Sequence, residues 1–134
     1  MTSEGQKADS DSSKFVNHSA ETVGDGWAID SGPGLGRCTR SLGRGGVAYL
    51  VVTARDAGPD PAADVEAVER FLKQEGVATE RYQSGGAEPV LGVRGAGGPL
   101  ASIDFLADPR GYSIQGESAC VAGDFDQISR DSLE

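Results

Sequence analysis

The chain has 134 residues, with 21 acidic side chains against 12 basic ones and a formal net charge of −9. That length suits one domain, and the charge, with no basic run anywhere, argues against phosphate-tracking nucleic-acid binding and against attraction to an anionic lipid surface. Hydrophobic residues make up 37%, aromatics 6%, and glycine occurs twenty times, so the core is thin and a covalent cross-link would help it.

Met1 reads as an added start and Leu133-Glu134 as a cloning scar, and both are set aside. Residues 1–25 are polar and small, a composition that does not offset its own ordering entropy, and they are expected to form a disordered tether. From Thr22 to Gly46 the sequence is glycine-rich and irregular, with Trp27, Ile29, Leu35 and Leu42 as isolated anchors and Trp27 as a lid on the core. The folded domain is expected to span 26–122, followed by a flexible tail over 123–134.

Val47–Arg55 is the strongest strand signal, β-branched and aromatic between Gly45-Gly46 and Asp56-Ala57-Gly58-Pro59. Asp60 to Gly76 then reads as one amphipathic helix. Asp60 is its N-cap, Pro61 its first residue and Gly76 its left-handed stop, and Val65, Val68, Phe71 and Leu72 form the apolar stripe. Ala78–Gln83 is a half-exposed strand. Pro89–Arg94 and Leu100–Leu106 flank the glycine-rich loop Gly95–Pro99 as a hairpin, and Asp108-Pro109-Arg110-Gly111 is a turn before the last strand, Tyr112–Val121.

The order strand, helix, strand, hairpin, strand predicts an α+β fold: one helix on a mostly antiparallel sheet of four to five strands. Alternation would turn Ala48, Leu50 and Val52 to the helix, with Leu91, Val93, Ile103, Phe105, Tyr112 and Ile114. The opposite face would then carry Tyr49, Val51, Arg81, Arg94, Asp104, Gln115 and Glu117. That set is the candidate binding face, because it mixes aromatic and apolar area with arginines, a composition enriched in interfaces.

Chemistry-bearing motifs are sparse. Cys38 and Cys120 are the only cysteines. A disulfide between them is favoured over metal ligation, since close-spaced ligand pairs are missing and the sole histidine, His18, lies in the expected tether. It is favoured over a catalytic thiol for want of an ordered histidine partner. Ser31–Arg37 resembles a phosphate loop only in glycine content. Asp9/Asp11 and Asp124/Asp126 lack the glycine and closing glutamate of a calcium loop, and Asn17-His18-Ser19 fits a glycosylation sequon that arises readily by chance. No catalytic residue, metal site or cofactor is assigned. Asp104 and Glu117 are the best-placed carboxylates, expected to pair with Arg81 or Arg94 rather than to act as acid and base.

Trp27, Cys38, the strand VAYLVVTAR, the helix ending FLKQEG and the segment SACV at Ser118–Val121 together resemble the mature part of small secreted lipoproteins of high-GC Gram-positive bacteria. The resemblance implies a lipid anchor upstream of Thr2 and display on the outer face of the cell membrane. The expectation is therefore a monomeric, non-catalytic envelope or secreted domain that binds a protein or an envelope component and no nucleic acid. The alternatives are a small extracellular hydrolase using surface carboxylates, or an inhibitor or immunity-type protein.

Overall fold

The computed structural model describes residues 3–85, 87, 89–98 and 100–124. Among these residues the fold is α+β, with two helices on a six-stranded antiparallel sheet. In chain order the elements are α1 (Ser3–Glu21), β1 (Ala28–Thr39), a single 3-10 turn at Ser41–Gly43, β2 (Gly45–Arg55), α2 (Pro61–Gln74), β3 (Ala78–Ser84), β4 (Val90–Gly97), β5 (Leu100–Asp108) and β6 (Gly111–Glu117). The sheet order is β1-β2-β6-β5-β4-β3. The crossover through α2 carries the chain from β2 to the far edge, and β3 to β6 return as a meander until β6 pairs with β2.

Helix α2 forms as its sequence dictates. The Asp60 carboxylate accepts the Ala63 amide at 3.1 Å, Pro61 opens the helix, and Gly76 stops it at φ +82°. Val65, Val68 and Leu72 are buried, and Phe71 packs at the core margin.

Helix α1 corrects the expected tether. Ser12, Phe15, Val16, Ser19 and Ala20 recur at helical spacing and are all buried, so the helix seats a narrow stripe on the sheet. The stripe is easily missed because three of its five residues are small: Ser12, Ser19 and Ala20 pack backbone close to the sheet while only Phe15 and Val16 are large and apolar. The Ser19 hydroxyl donates back to the Phe15 carbonyl at 2.9 Å, which satisfies it without an outside partner. The rings of Phe15 and Phe71 sit 5.6 Å apart and join the two helices. Gly116 of β6 makes room for α1, since any Cβ there would run into Val16 and come within 3.0 Å of Leu100.

The glycine-rich lead-in is likewise more regular than expected. Ala28–Thr39 pairs with β2 as an edge strand, with register shifts between Ile29 and Gly34 that absorb its irregular composition. The expected last strand ends earlier, at Glu117, after which the Ser118 amide donates to the Tyr49 carbonyl and Val121 bridges back to Val47. Gly95 and Ala96 belong to β4 rather than to the hairpin loop. Pro99 and residues 125–134 of the expected tail lie outside the described residues.

The helix-facing layer contains Leu91, Val93, Ile103, Phe105, Tyr112 and Ile114, as expected. In β2, however, the phase is reversed. Val47, Tyr49, Val51 and Thr53 are buried, while Leu50, Val52 and Ala54 are half-buried on the opposite face. A strand apolar on both sides offers no period-2 signal, so its phase is set by the neighbouring strands rather than by its own sequence.

Candidate functional site

Both described helices cover one face of the sheet, and among the described residues the other face carries no helix. Its residues follow from register. One row runs Glu80, Arg94, Asp104, Gln115 and Val52 across five strands, and the rows beside it contribute Tyr82, Leu106, Ser102, Glu117 and Leu50. Arg94, Gln115 and Glu117 are exposed and Asp104 is half-buried.

Three of these side chains form a cluster. Tyr82 lies across Gly92, which has no Cβ to obstruct the ring. Its hydroxyl donates to the Asp104 carboxylate, and the Arg94 guanidinium stacks over the same ring, 4.3 Å from its centroid. Burial, reinforced by the Asp104 carboxylate, pushes the Tyr82 phenol well above its ordinary value. Tyr82 is therefore a neutral donor locked on Asp104, and Arg94 keeps a fixed pose without an ion pair to any described residue. Beside the cluster, Glu80, Ser102, Asp104 and Gln115 line a shallow depression of about 500 Å³. Leu50, Val52 and Leu106 lie half-buried on the same face.

The expected binding set is thus brought together in part. Arg94, Asp104, Gln115 and Glu117 share the open face. Arg81 does not: it faces α2 and makes a forked contact with Glu69 at 2.7 and 3.0 Å, which holds the Glu69 carboxyl below its ordinary value. Tyr49 and Val51 are core residues, 3% and 2% exposed. Val51 joins the main core, and Tyr49 packs with Val47, Val121 and Leu35 rather than beneath Trp27. The cause is the reversed phase of β2. Tyr82 is the aromatic residue the sequence reading missed. Alternation along β3 puts Tyr82, with Gly92 and Leu106, on the open face that the sequence pattern assigns to its neighbour Arg81.

The two cysteines are bonded, with Cα atoms 5.9 Å apart. Cys38 lies opposite Gly46 in the β1–β2 pairing, and Cys120 precedes the bridge from Val121 to Val47. The bond therefore lies against Gly46, where a Cβ would sit 2.8 Å from the Cys120 sulfur and 2.6 Å from the Val121 carbonyl. Trp27 caps the core from the other end, edge-on to Phe105 at 6.5 Å, with the Arg55 guanidinium 5.9 Å above its ring. His18 sits exposed on α1, and among the described residues no group of three metal-ligating side chains converges. No described helix is long and apolar enough to cross a membrane.

These features define a small α+β domain with one dry sheet face, one bare face and a cystine at the sheet margin. No protein-family model matches the chain, and no curated protein matches it. Among solved structures it is similar to a DUF4853 family protein from Actinomyces odontolyticus, with a TM-score of 0.59 and 16% identity over 92% of this chain and 71% of that one. At that identity the likeness establishes the fold.

Proposed function

We propose that the protein is a non-catalytic binding domain of the cell envelope, displayed outside the membrane by a lipid anchor, and that it meets a protein partner through the helix-free sheet face. The observation that carries this reading is the Arg94–Tyr82–Asp104 cluster beside Leu50, Val52 and Leu106. The cluster gives fixed charge and hydrogen-bonding capacity next to uncovered apolar area, the composition of an interface centre with its polar rim. The Cys38–Cys120 bond supports an oxidising compartment, since such bonds are rare where thiols are kept reduced.

The test is cross-linking on intact cells with the natural full-length product, followed by identification of the linked species and its contact residues. Arg94→Ala combined with Asp104→Ala is expected to abolish a link that maps to the open face. A link that persists undiminished in the double variant would sink the face as the contact surface. Incorporation of a palmitate analogue into the same product tests the anchor, and an unlabelled product found only in the cytosol would refute the envelope placement.

A second reading, an inhibitor or immunity-type protein, is supported by the exposed tip of the β1–β2 hairpin, residues 42–45. Gly45–Tyr49 of β2 lie past Leu50, the last residue paired with β6, and the cystine braces the hairpin at its base.

A further inference from the structure

The tip of the β1–β2 hairpin is built against local preference. Leu42 has φ +64° and the following Gly43 has φ +72°. Two consecutive left-handed residues give the backbone twist a tight hairpin needs. Glycine accepts that conformation freely and asparagine tolerates it, but a leucine there carries its Cβ too close to the next carbonyl. The leucine gains nothing in return from the fold, because Leu42 is 89% exposed, the large hydrophobic residue that stands most clearly in solvent among the described residues. An apolar side chain held in a disfavoured conformation and turned to water has no folding rationale, and such outliers cluster at functional sites, ligand clamps and switch regions.

Three further observations bear on what the tip would meet. Its backbone is closed and braced: the Arg40 amide donates to the Arg44 carbonyl at 2.7 Å, the Arg40 Nε donates to the Gly45 carbonyl at 3.1 Å, and the cystine sits directly below. Arg44 is exposed and Arg40 half-buried on either side of Leu42, and neither forms an ion pair with a described residue. Finally, the chain holds no Asp or Glu between Asp30 and Asp56, although acids dominate it elsewhere. The exposed hairpin tip is a cationic site with an apolar point on an otherwise anionic protein.

We propose that Leu42 is a plug that enters an apolar pocket on a protein partner, and that Arg40 and Arg44 engage carboxylates on the rim of that pocket. A bilayer is the poorer occupant. A net charge of −9 is repelled by an anionic leaflet, and one leucine buries far less than a single acyl chain, which itself gives only marginal, reversible attachment. The proposal stands apart from the open-face reading, because tip and face are separate surfaces with separate variants.

The test uses the full chain carrying Leu42→p-benzoylphenylalanine, photolysed in the cells that produce it, with the same photoreactive residue at exposed Gln74 as the control. The expected result is a protein adduct specific to position 42, whose linked residue is apolar with Asp or Glu beside it. Arg44→Glu should weaken that adduct about tenfold, as truncating a complementary charge does. Leu42→Asn should remove the interaction with the partner so identified and at the same time raise Tm by on the order of a few degrees, through relief at the left-handed position. Adducts no stronger than at position 74, adducts to a surface without carboxylates, or adducts to lipid would each overturn the proposal. So would a fall in Tm for Leu42→Asn, or flotation with phosphatidylcholine–phosphatidylglycerol vesicles that this substitution abolishes.

Discussion

The Tyr112 hydroxyl on β6 donates a 2.6 Å hydrogen bond to the Asp64 carboxylate in the first turn of α2. It joins the strand that completes the sheet to the helix that crosses it, and it passes beside Gly58, where a Cβ would sit 2.8 Å from the Asp64 oxygen. Replacing Tyr112 with Phe keeps the edge-on packing against Phe105, whose ring centroid is 5.4 Å away, and removes only the donor. A hydrogen bond to a charged acceptor contributes roughly 1.5–3 kcal/mol, and Asp64 regains part of that from water because it is half-buried. Denaturant unfolding of Tyr112→Phe should show a loss of about 1–2 kcal/mol at neutral pH with an unchanged m-value. A loss under 0.5 kcal/mol on the same scale would show that the bond holds nothing together.

Tyr82 and Tyr112 share a pH signature. Burial raises both phenols above the ordinary 10.0, and the carboxylates of Asp104 and Asp64 add to the effect. A folded-state pKa raised above the unfolded one contributes stability that is complete below pH 10 and is lost as pH climbs toward the folded value. The protein should therefore be insensitive to pH from neutrality to about 9 and lose stability steeply above 10. Phenolate absorbance should show Tyr82 and Tyr112 titrating late or only with unfolding. Ordinary titration of Tyr82 and Tyr112 in the folded protein would contradict this.

The cystine closes a separation of 82 residues. In the chain-entropy account such a closure contributes roughly 4.5 kcal/mol, and engineered removals commonly show less. Cys38→Ser with Cys120→Ser should lower stability by about 3–4 kcal/mol and should loosen the β1–β2 hairpin before the rest of the sheet. Hydrogen exchange would report this as lost protection in Gly46–Tyr49 ahead of Phe105 and Ile114. Uniform loss across all six strands would argue against a local brace.

Val16 occupies the space that Gly116 leaves open. Gly116→Ala should destabilise by about 2–3 kcal/mol, as overpacking does, and Val16→Ala should cost a similar amount through its cavity. Combined, the two should cost clearly less than the sum, because the added methyl fills the removed volume. Strict additivity would show that α1 does not dock on β6 in solution.

How far the sequence could be read depended on whether the local pattern carried its own phase. Helix α2 was legible to the residue at both ends because Asp60, Pro61 and Gly76 act within one turn. The cystine was legible because two cysteines admit one pairing. Helix α1 was not, because serine and alanine make three of the five residues of its buried stripe and composition alone reads them as solvated. The β2 face was not, because Ala48, Leu50 and Val52 alternate with Val47, Tyr49 and Val51, and either set could face a core. That one-residue ambiguity is what moved Tyr49 and Val51 out of the candidate surface. Arg94 and Asp104 stayed on it because each is a charged residue between neighbours that turn to the core, Val93 and Gly95 in β4 and Ile103 and Phe105 in β5.

The position of β6 in the sheet sets the order in which this chain can be completed. Strands β1 and β2 form one block and β3 to β5 another, and nothing in the backbone ladder joins them until Gly111–Glu117 slides between β2 and β5. A chain emerging amino end first, from a ribosome or through a translocation pore, therefore carries two open half-sheets until Glu117 is out. The keystone arrives last. Cys120 follows it by three residues, so the sulfur that fastens the margin becomes available only when the centre has a strand to hold.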